Sequence, residues 1–129
     1  MREIQVRTRQ RRELVDITRQ VASAARETGG DGAWLVFVPH TTAGVTINEG
    51  ADPAVADDIL MALEAVVPEE QPWKHAEGNS PAHVLSTLVG SSVLVAVEDG
   101  VVALGTWQSI FFCEFDGPRS RKVWLQKLE

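Results

Sequence analysis

The last third of the sequence consists of short apolar and β-branched segments separated by tight turn signals. The segments are 92–97, 101–104, 109–115 and 121–128, and the turns between them include Asp99-Gly100 and Asp116-Gly117-Pro118. Segments of this length that alternate with Asp-Gly turns are typical of antiparallel strands. This third of the chain is therefore predicted to be β-structure.

The first two thirds carry helix signals as well as strand signals. Asp52-Pro53 and Ser80-Pro81 each combine a capping side chain with proline at the first helical position. Apolar spacing after Asp16 and Thr18 predicts another helix, which ends at Gly29-Gly30. Strands are predicted at 2–10, 33–38 and 44–48, and a long loop at 69–79. The sequence thus predicts one α+β domain over residues 1–129, a mainly antiparallel sheet with two or three helices packed on one face.

Charge and composition exclude several classes of protein. The net charge of −6 at pH 7 argues against a general nucleic-acid binder, because such proteins usually carry an excess of basic residues. No apolar run approaches the roughly 20 residues that a membrane span needs, so no membrane partner is expected. The single cysteine, Cys113, excludes an internal disulfide framework and fits a reducing, cytoplasmic location.

Basic residues gather at the two ends of the chain. Seven arginines lie between Arg2 and Arg26, and four bases lie between Arg119 and Lys127. If the two ends pair in one sheet, a basic patch forms on an otherwise acidic protein. The alternative is that these bases lie on solvated strand faces.

Three histidines are the main candidates for chemistry. His40 follows a predicted buried strand, His75 lies in the long loop, and His83 lies in the first turn of the Ser80-Pro81 helix. Each also has a structural alternative: a half-buried histidine satisfied by a backbone carbonyl for His40, an exposed loop histidine for His75, and a partly buried first-turn residue for His83. If the three converge, they form a zinc site with an open fourth position.

Two turns carry further polar side chains. Gly105-Thr106-Trp107-Gln108 offers hydrogen-bonding groups near a flexible glycine, or forms a β-bulge with a structural tryptophan. Segment 114–121 places acids and arginines around one turn, where arginine can bind phosphate or form a local salt-bridge cluster. Cys113 is interpreted as a small core residue.

Several of these segments together resemble one family. They are 40–49, Asp52-Pro53, 79–83, 105–110 and 114–119, together with Ser92, Val95, Val97 and Gly100. In this order they resemble the YjbQ-like family of uncharacterised proteins, also called the secondary thiamine-phosphate synthase family. The resemblance covers nearly the whole chain, and Thr42 stands where many relatives have serine.

The resemblance implies an α+β subunit that assembles as a homotrimer around sites that contain the three histidines. The candidate catalytic residues are His40, His75, His83, Glu49 and Asp116. The candidate substrate-binding residues are Thr41, Thr42, Asn48, Asn79, Ser80, Gln108 and Arg119.

The resemblance also implies a weak thiamine-phosphate synthase activity. In that reaction the nitrogen of a thiazole phosphate displaces pyrophosphate from a pyrimidine methyl diphosphate. Catalysis then consists mainly of stabilising the leaving group. The candidate groups are Arg119, Arg121, Lys74, the helix start at Ser80, or Mg²⁺ held by Glu49 and Asp116.

Two other functions stay open. The three histidines could hold zinc and activate water, which would make the chain a small metal-dependent hydrolase. Alternatively the chain is a non-catalytic trimer that binds a metal or a small anion. In each case we expect a small phosphorylated or anionic ligand, Zn²⁺ or Mg²⁺ as the only cofactor, no organic cofactor and no nucleic-acid partner.

Overall fold

Short strands and three helices make up the part of the chain that a computed structural model describes, residues 1–128. The strands are β1 (Arg2–Arg7), β2 (Glu13–Asp16), β3 (Gly32–Phe37), β4 (Ala43–Glu49), β5 (Ser92–Glu98), β6 (Val101–Ala103), β7 (Gln108–Glu114) and β8 (Ser120–Leu128). The helices are α1 (Thr18–Thr28), α2 (Pro53–Val66) and α3 (Ser80–Val89). The domain prediction also includes Glu129, which lies outside the described residues. Of the helices described, none combines the length and apolar character needed to cross a membrane.

The strands form two antiparallel sheets, where the sequence predicted one. The first sheet has the order β1-β8-β3-β5-β6 and the second the order β2-β7-β4. The α+β class is confirmed. Alternation of apolar residues indicates which face a side chain takes, but it does not identify the neighbouring strand. The division into two sheets therefore depends on pairings that the local sequence does not encode.

The strand β2 was not predicted. It is only four residues long and follows two arginines, so its own pattern is weak. It is a strand because it pairs with β7, where Leu14 lies opposite Cys113 and Asp16 opposite Phe111.

The main core lies between the two sheets. On β7, Ile110 and Phe112 contribute to this core, and Val36 and Leu125 contribute from the five-stranded sheet. Phe112 is fully buried. Truncating such a phenylalanine to alanine costs about 3–5 kcal/mol, so this layer supplies much of the stability of the fold.

The helix α1 belongs to the main core, which corrects the expectation that the helices share one face. Val21, Ala24 and Ala25 are buried in that core. The Asp16 carboxylate accepts a hydrogen bond from the Thr18 N–H at 2.9 Å. The Thr18 hydroxyl oxygen accepts one from the Ile110 N–H at 2.8 Å, which fastens the start of α1 to β7.

The helices α2 and α3 cover the other face of the three-stranded sheet. There Leu85 packs with Cys113 and Phe115 in a second, smaller core. A Cβ on Gly44 would lie 2.6 Å from the Gly90 carbonyl oxygen, so glycine permits the close approach of β4 to the end of α3.

One end of the molecule brings together the ends of β3 and β7 and the starts of α3 and β8. The Phe115 N–H donates to the Thr42 carbonyl oxygen at 3.2 Å. The Thr8 N–H donates to the Arg119 carbonyl oxygen at 2.9 Å. Loops from four elements are thereby held side by side, and the candidate site lies among them.

Candidate functional site

A cavity of about 480 Å³ opens where these loops meet, and we call it the histidine cavity. Its lining residues are Pro39, His40, Thr41, Thr42, His75, Glu77, Asn79, His83, Asp116, Arg119 and Arg121. A neighbouring depression of about 370 Å³ shares His40, Thr41 and His83 with it. The three histidines of the chain therefore line one continuous concave region.

His40 is held in a defined orientation by the backbone of β8. Its Nε2 accepts a hydrogen bond from the Lys122 N–H at 3.0 Å. Burial and the nearby Arg121 charge lower the pKa of His40 below its ordinary value of 6.5. A neutral imidazole whose Nε2 is an acceptor carries its proton on Nδ1. We therefore assign Nδ1–H as the donor that His40 can offer to a ligand.

His75 and His83 form an edge-to-face pair. Their ring centroids are 5.3 Å apart and the ring planes are nearly perpendicular, at 88°. His83 lies in the first turn of α3, which fixes its backbone. His75 lies in the loop that precedes α3, about 43% of its side chain is exposed, and its Nε2 is 3.8 Å from a Glu77 carboxylate oxygen. The two rings can therefore contact the same ligand from different elements.

Asp116 connects the turn after β7 to the start of α3. Its Oδ2 accepts hydrogen bonds from Asn79 Nδ2 at 3.0 Å and from Arg119 Nη2 at 3.1 Å. Burial alone would raise the pKa of Asp116, but these hydrogen bonds and the nearby arginine charges hold it below its ordinary value of 3.8. Asp116 is thus an ionised acceptor that orients Arg119. Asn79 Oδ1 is buried without a hydrogen-bond partner among the described residues.

A buried ion pair between Glu114 and Arg121 lies beside the histidine cavity. Glu114 is fully buried and accepts hydrogen bonds from Arg121 Nε at 2.8 Å and from the Thr8 hydroxyl at 2.7 Å. It also binds Arg121 Nη2 and accepts from the Asp116 N–H at 3.0 Å. Arg121 Nη2 in turn donates to the Thr42 hydroxyl at 2.9 Å. The Glu114 carboxylate therefore links the segment that carries Asp116 directly, and the segment that carries His40 through Arg121.

The sequence left open whether the arginines of segment 114–121 bind phosphate or form a local salt bridge, and the Glu114–Arg121 pair decides this for Arg121. Burial would raise the pKa of Glu114, but hydrogen bonds from Arg121, Thr8 and the Asp116 N–H lower it below its ordinary value of 4.5. The Arg121 charge is therefore balanced within the core. Glu114 and Arg121 form the local salt bridge, and Arg119 is the more exposed arginine of the segment.

Eight of the candidate site residues lie on the histidine cavity. They are His40, Thr41, Thr42, His75, Asn79, His83, Asp116 and Arg119. Ser80 is buried beside it and lines a smaller depression with Trp73, His75 and His83. These candidates come from separate elements, and the fold brings them to one end of the molecule.

Asn48, Glu49 and Gln108 lie elsewhere in the chain. Glu49 is paired with Gln108 at the far end of β4, six residues along the ladder from the pair of Ala43 and Glu114. At about 3.3 Å per residue, this is a separation of roughly 20 Å. Glu49 lines a different depression, of about 260 Å³. Within one chain, Glu49 and Asp116 are therefore too far apart to bind the same Mg²⁺ ion. A Mg²⁺ site that uses both would need a second chain, and it stays a prediction.

The three histidines are not arranged as a metal-binding site in a single chain. Within residues 1–128, no group of three His, Cys, Asp or Glu side chains is arranged to hold a metal ion. His40 Nε2 is already engaged by the backbone of Lys122. A zinc site made of all three histidines would therefore require His40 to turn, and it stays a prediction.

Sequence reasoning did not assign Glu114 or Thr8 to the site, and it left open whether Arg121 binds a ligand or joins a local salt bridge. A signal was present, because Arg121 alternates with Val123 and Leu125 on β8 and therefore takes the core face. Glu114 similarly shares the face of Phe112 on β7. An acid and a base that both alternate with core residues indicate a buried pair.

Comparison with known proteins gives a consistent result over nearly the whole chain. A family model described as UPF0047 protein YjbQ-like matches residues 2–129. UPF0047 protein YugU of Bacillus subtilis is 48% identical over 130 residues, which cover 99% of this chain and 98% of that protein. UPF0047 protein MJ1081 of Methanocaldococcus jannaschii is 50% identical, over 95% of this chain and 89% of that protein.

Solved structures give the same result. An uncharacterised conserved protein of the YjbQ/UPF0047 family from Clostridium acetobutylicum has a TM-score of 0.96 and 48% identity, covering 99% of this chain and 100% of that one. The conserved hypothetical protein TT1486 from Thermus thermophilus has a TM-score of 0.93 and 45% identity, with the same coverage. The family resemblance read from the sequence motifs is confirmed, and the chain belongs to the YjbQ-like UPF0047 family.

Proposed function

We propose that the chain is a small enzyme that binds a phosphorylated small molecule in the histidine cavity. The proposed reaction is the displacement of pyrophosphate from a pyrimidine methyl diphosphate by a thiazole phosphate. The observation that supports this proposal is the placement of three histidines, Asp116 and Arg119 around one cavity of about 480 Å³. Sites for small molecules typically have volumes of about 300–1,000 Å³.

Arg119 is the group best suited to bind a phosphate. Its Nε donates to the Asp116 carbonyl oxygen at 2.7 Å and its Nη2 to the Asp116 carboxylate at 3.1 Å. The guanidinium is thereby oriented while Nη1 has no partner among the described residues, and about half of the side chain is exposed. Arginine held in this way binds phosphate oxygens with directional, charge-assisted hydrogen bonds.

The histidines have distinct roles in this proposal. His40, neutral with its proton on Nδ1, donates a hydrogen bond to a phosphate or ring acceptor. His75 or His83 gives a proton to the departing pyrophosphate, because histidine is the side chain that most readily exchanges protons near neutral pH. Asp116 stays ionised and positions Arg119 for the charge that develops on the leaving group.

The test is a coupled assay of the purified chain with both substrates, measuring pyrophosphate release and thiamine phosphate. Arg119→Met is expected to lower kcat/KM by roughly 10²–10³-fold, the usual loss when a transition-state donor is removed. Arg19→Met, on the exposed surface of α1, is the matched control and is expected to leave kcat/KM unchanged. Substrate binding without turnover would favour the non-catalytic anion-binding alternative. The absence of both binding and turnover would refute the proposal.

A zinc-dependent hydrolase is the second candidate, and the contact between His75 and His83 favours it. Zinc titration of the tag-free chain by calorimetry tests it. Near-stoichiometric zinc that is lost in His83→Ala would make this function the leading one. A zinc-free chain that turns over the two phosphorylated substrates would exclude it.

We also propose a cytoplasmic location, because the single cysteine, Cys113, is a buried free thiol.

A further inference from the structure

A smaller depression beside the histidine cavity differs from it in chemistry. It has a volume of about 300 Å³ and we call it the tryptophan pocket; its lining residues are Trp73, His75, Ser80, His83 and Val84. Among the described residues, this lining includes no acid, lysine or arginine, whereas the histidine cavity has all but lysine. His75 and His83 line both concave regions, so two imidazole rings form the boundary between a charged cavity and an apolar pocket.

Trp73 lies on a loop that is otherwise turned to solvent. Residues 68–78 connect α2 to α3 without a helix or strand, and every residue in this range is exposed. Long loops without secondary structure of their own usually have a function. Trp73 is 37% exposed, so part of a large flat apolar surface stays in contact with water. A bound ring that covered this surface would gain the free energy of burying it.

Contacts with the body of the domain fix the position of Trp73. Its Nε1–H donates to the Glu69 carbonyl oxygen at 2.8 Å. The Glu69 carboxylate forms salt bridges with Arg11, at 3.0 Å, and with Arg12, whose side chain is only 8% exposed. The loop is therefore fastened to a buried group. Because the indole is oriented before a ligand arrives, less entropy is lost when the ligand binds.

We propose that the tryptophan pocket binds the pyrimidine ring of the diphosphate substrate, stacked on the indole of Trp73. This inference rests on the proposed function and adds to it the site that holds the ring. Nucleic-acid bases stack favourably on aromatic side chains, and a pyrimidine presents the same kind of flat face. Val84 adds an apolar contact, and the Ser80 hydroxyl can form a hydrogen bond with a nitrogen at the ring edge.

This placement puts the reacting bond at the boundary between the two regions. One methylene group joins the ring to the diphosphate. With the ring on Trp73 and the diphosphate at Arg119, the C–O bond that breaks lies beside His75 and His83. The lone pair of the thiazole nitrogen forms the new C–N bond to the methylene carbon. The electron pair of the C–O bond leaves with the pyrophosphate oxygen, which takes up the proton that one of the histidines donates.

Calorimetric titration of the purified full chain with two probes tests the assignment. One probe is the pyrimidine methyl diphosphate, and the other is methyl diphosphate, which carries the same anionic group without the ring. The native chain is expected to bind the ring-bearing probe more tightly. Trp73→Ala is expected to weaken binding of the ring-bearing probe about 5–150-fold, the usual loss when an aromatic stacking partner is removed. The same variant should bind methyl diphosphate as the native chain does.

Two further variants separate stacking from support of the loop. Trp73→Phe keeps an aromatic ring and is expected to recover most of the affinity that Trp73→Ala loses. The ring-bearing probe should quench tryptophan fluorescence in the native chain but not in Trp73→Phe, because the stacked indole is absent there. Trp107→Ala removes another exposed tryptophan (65% exposed), which precedes β7 at the end far from the cavity, and should leave both affinities unchanged.

The outcomes distinguish this inference from the proposed reaction. Unchanged affinity of Trp73→Ala for the ring-bearing probe overturns the inference and leaves the reaction standing. Equal losses for both probes also overturn it, because Trp73 would then only support the anion site. A native chain that binds the ring through Trp73 but releases no pyrophosphate keeps the ring site and refutes the reaction. A native chain that binds neither probe refutes both.

Discussion

Replacing Glu114 with glutamine is expected to lower the free energy of unfolding by about 3–5 kcal/mol, the usual cost of removing one partner from a buried ion pair. Glu114 is fully buried and Arg121 is only 4% exposed, so solvent cannot replace the lost charge. Glutamine keeps the volume of the side chain but turns one acceptor oxygen into a donor nitrogen. That nitrogen would face Arg121 or one of the other donors, Thr8 and the Asp116 N–H.

Urea unfolding at pH 7 measures the loss directly. Against a typical total stability of about 5–15 kcal/mol, the variant stays folded at room temperature when the native stability exceeds about 6 kcal/mol. Its Tm is expected to fall by roughly 10–20 °C. Glu98→Gln, at an exposed position on β5, is the matched control and should change the free energy of unfolding by less than about 0.5 kcal/mol.

A second substitution and a pH series test the cause of the loss. Glu114→Gln combined with Arg121→Met leaves no buried charge and should recover much of the stability that the single variant loses. Because the fold lowers the pKa of Glu114 from 4.5, its contribution is present above pH 4.5 and disappears as the pH falls through the folded-state pKa. A loss below about 1 kcal/mol at pH 7, or no recovery in the double variant, would refute the reasoning.

The remaining predictions concern three other positions. Gly117→Ala should destabilise the fold by about 1–3 kcal/mol in urea unfolding, because its Cβ would lie 2.3 Å from the Gln10 carbonyl oxygen. Gly105→Ala meets only a flexible side chain and should change stability much less; equal losses would contradict this account. The fold lowers the pKa of His40 from 6.5, so protonation favours the unfolded chain and stability should rise with pH through the interval just below 6.5. NMR titration measures this pKa, and a value above 6.5 would contradict the assignment. Burial raises the pKa of Cys113 to about 12, so the folded chain should react with a thiol reagent only as fast as it unfolds.

The sequence predicted most elements because their signals are local. Asp52-Pro53 starts α2, and the Asp52 carboxylate accepts from the Ala54 N–H at 3.0 Å as a capping residue should. Asp99 and Gly100 both have positive φ, as the Asp-Gly hairpin signal predicts. In each case the physical cause lies within a few residues of the element it determines.

The second sheet and the shape of the site depend on contacts between residues far apart in the sequence. The strand β2 exists because β7 offers it a partner, and four residues of its own pattern do not reveal this. His40 was a candidate from its place after a strand, but its lowered pKa follows from burial and from the Arg121 charge, and its orientation follows from the backbone of Lys122, about 80 residues away. Such pairings decide which histidine nitrogen is free, and local sequence does not contain them.

The position of β8 between β1 and β3 has a consequence for folding order. Within residues 1–128, the last strand in the sequence supplies the only ladders that join β1 to the rest of its sheet. During synthesis, β1 therefore has no sheet partner until residues 120–128 leave the ribosome, and β3 has only β5. Closure of a loop of more than 100 residues makes folding slow. Until then, the nascent chain presents unpaired strand edges that a chaperone could bind.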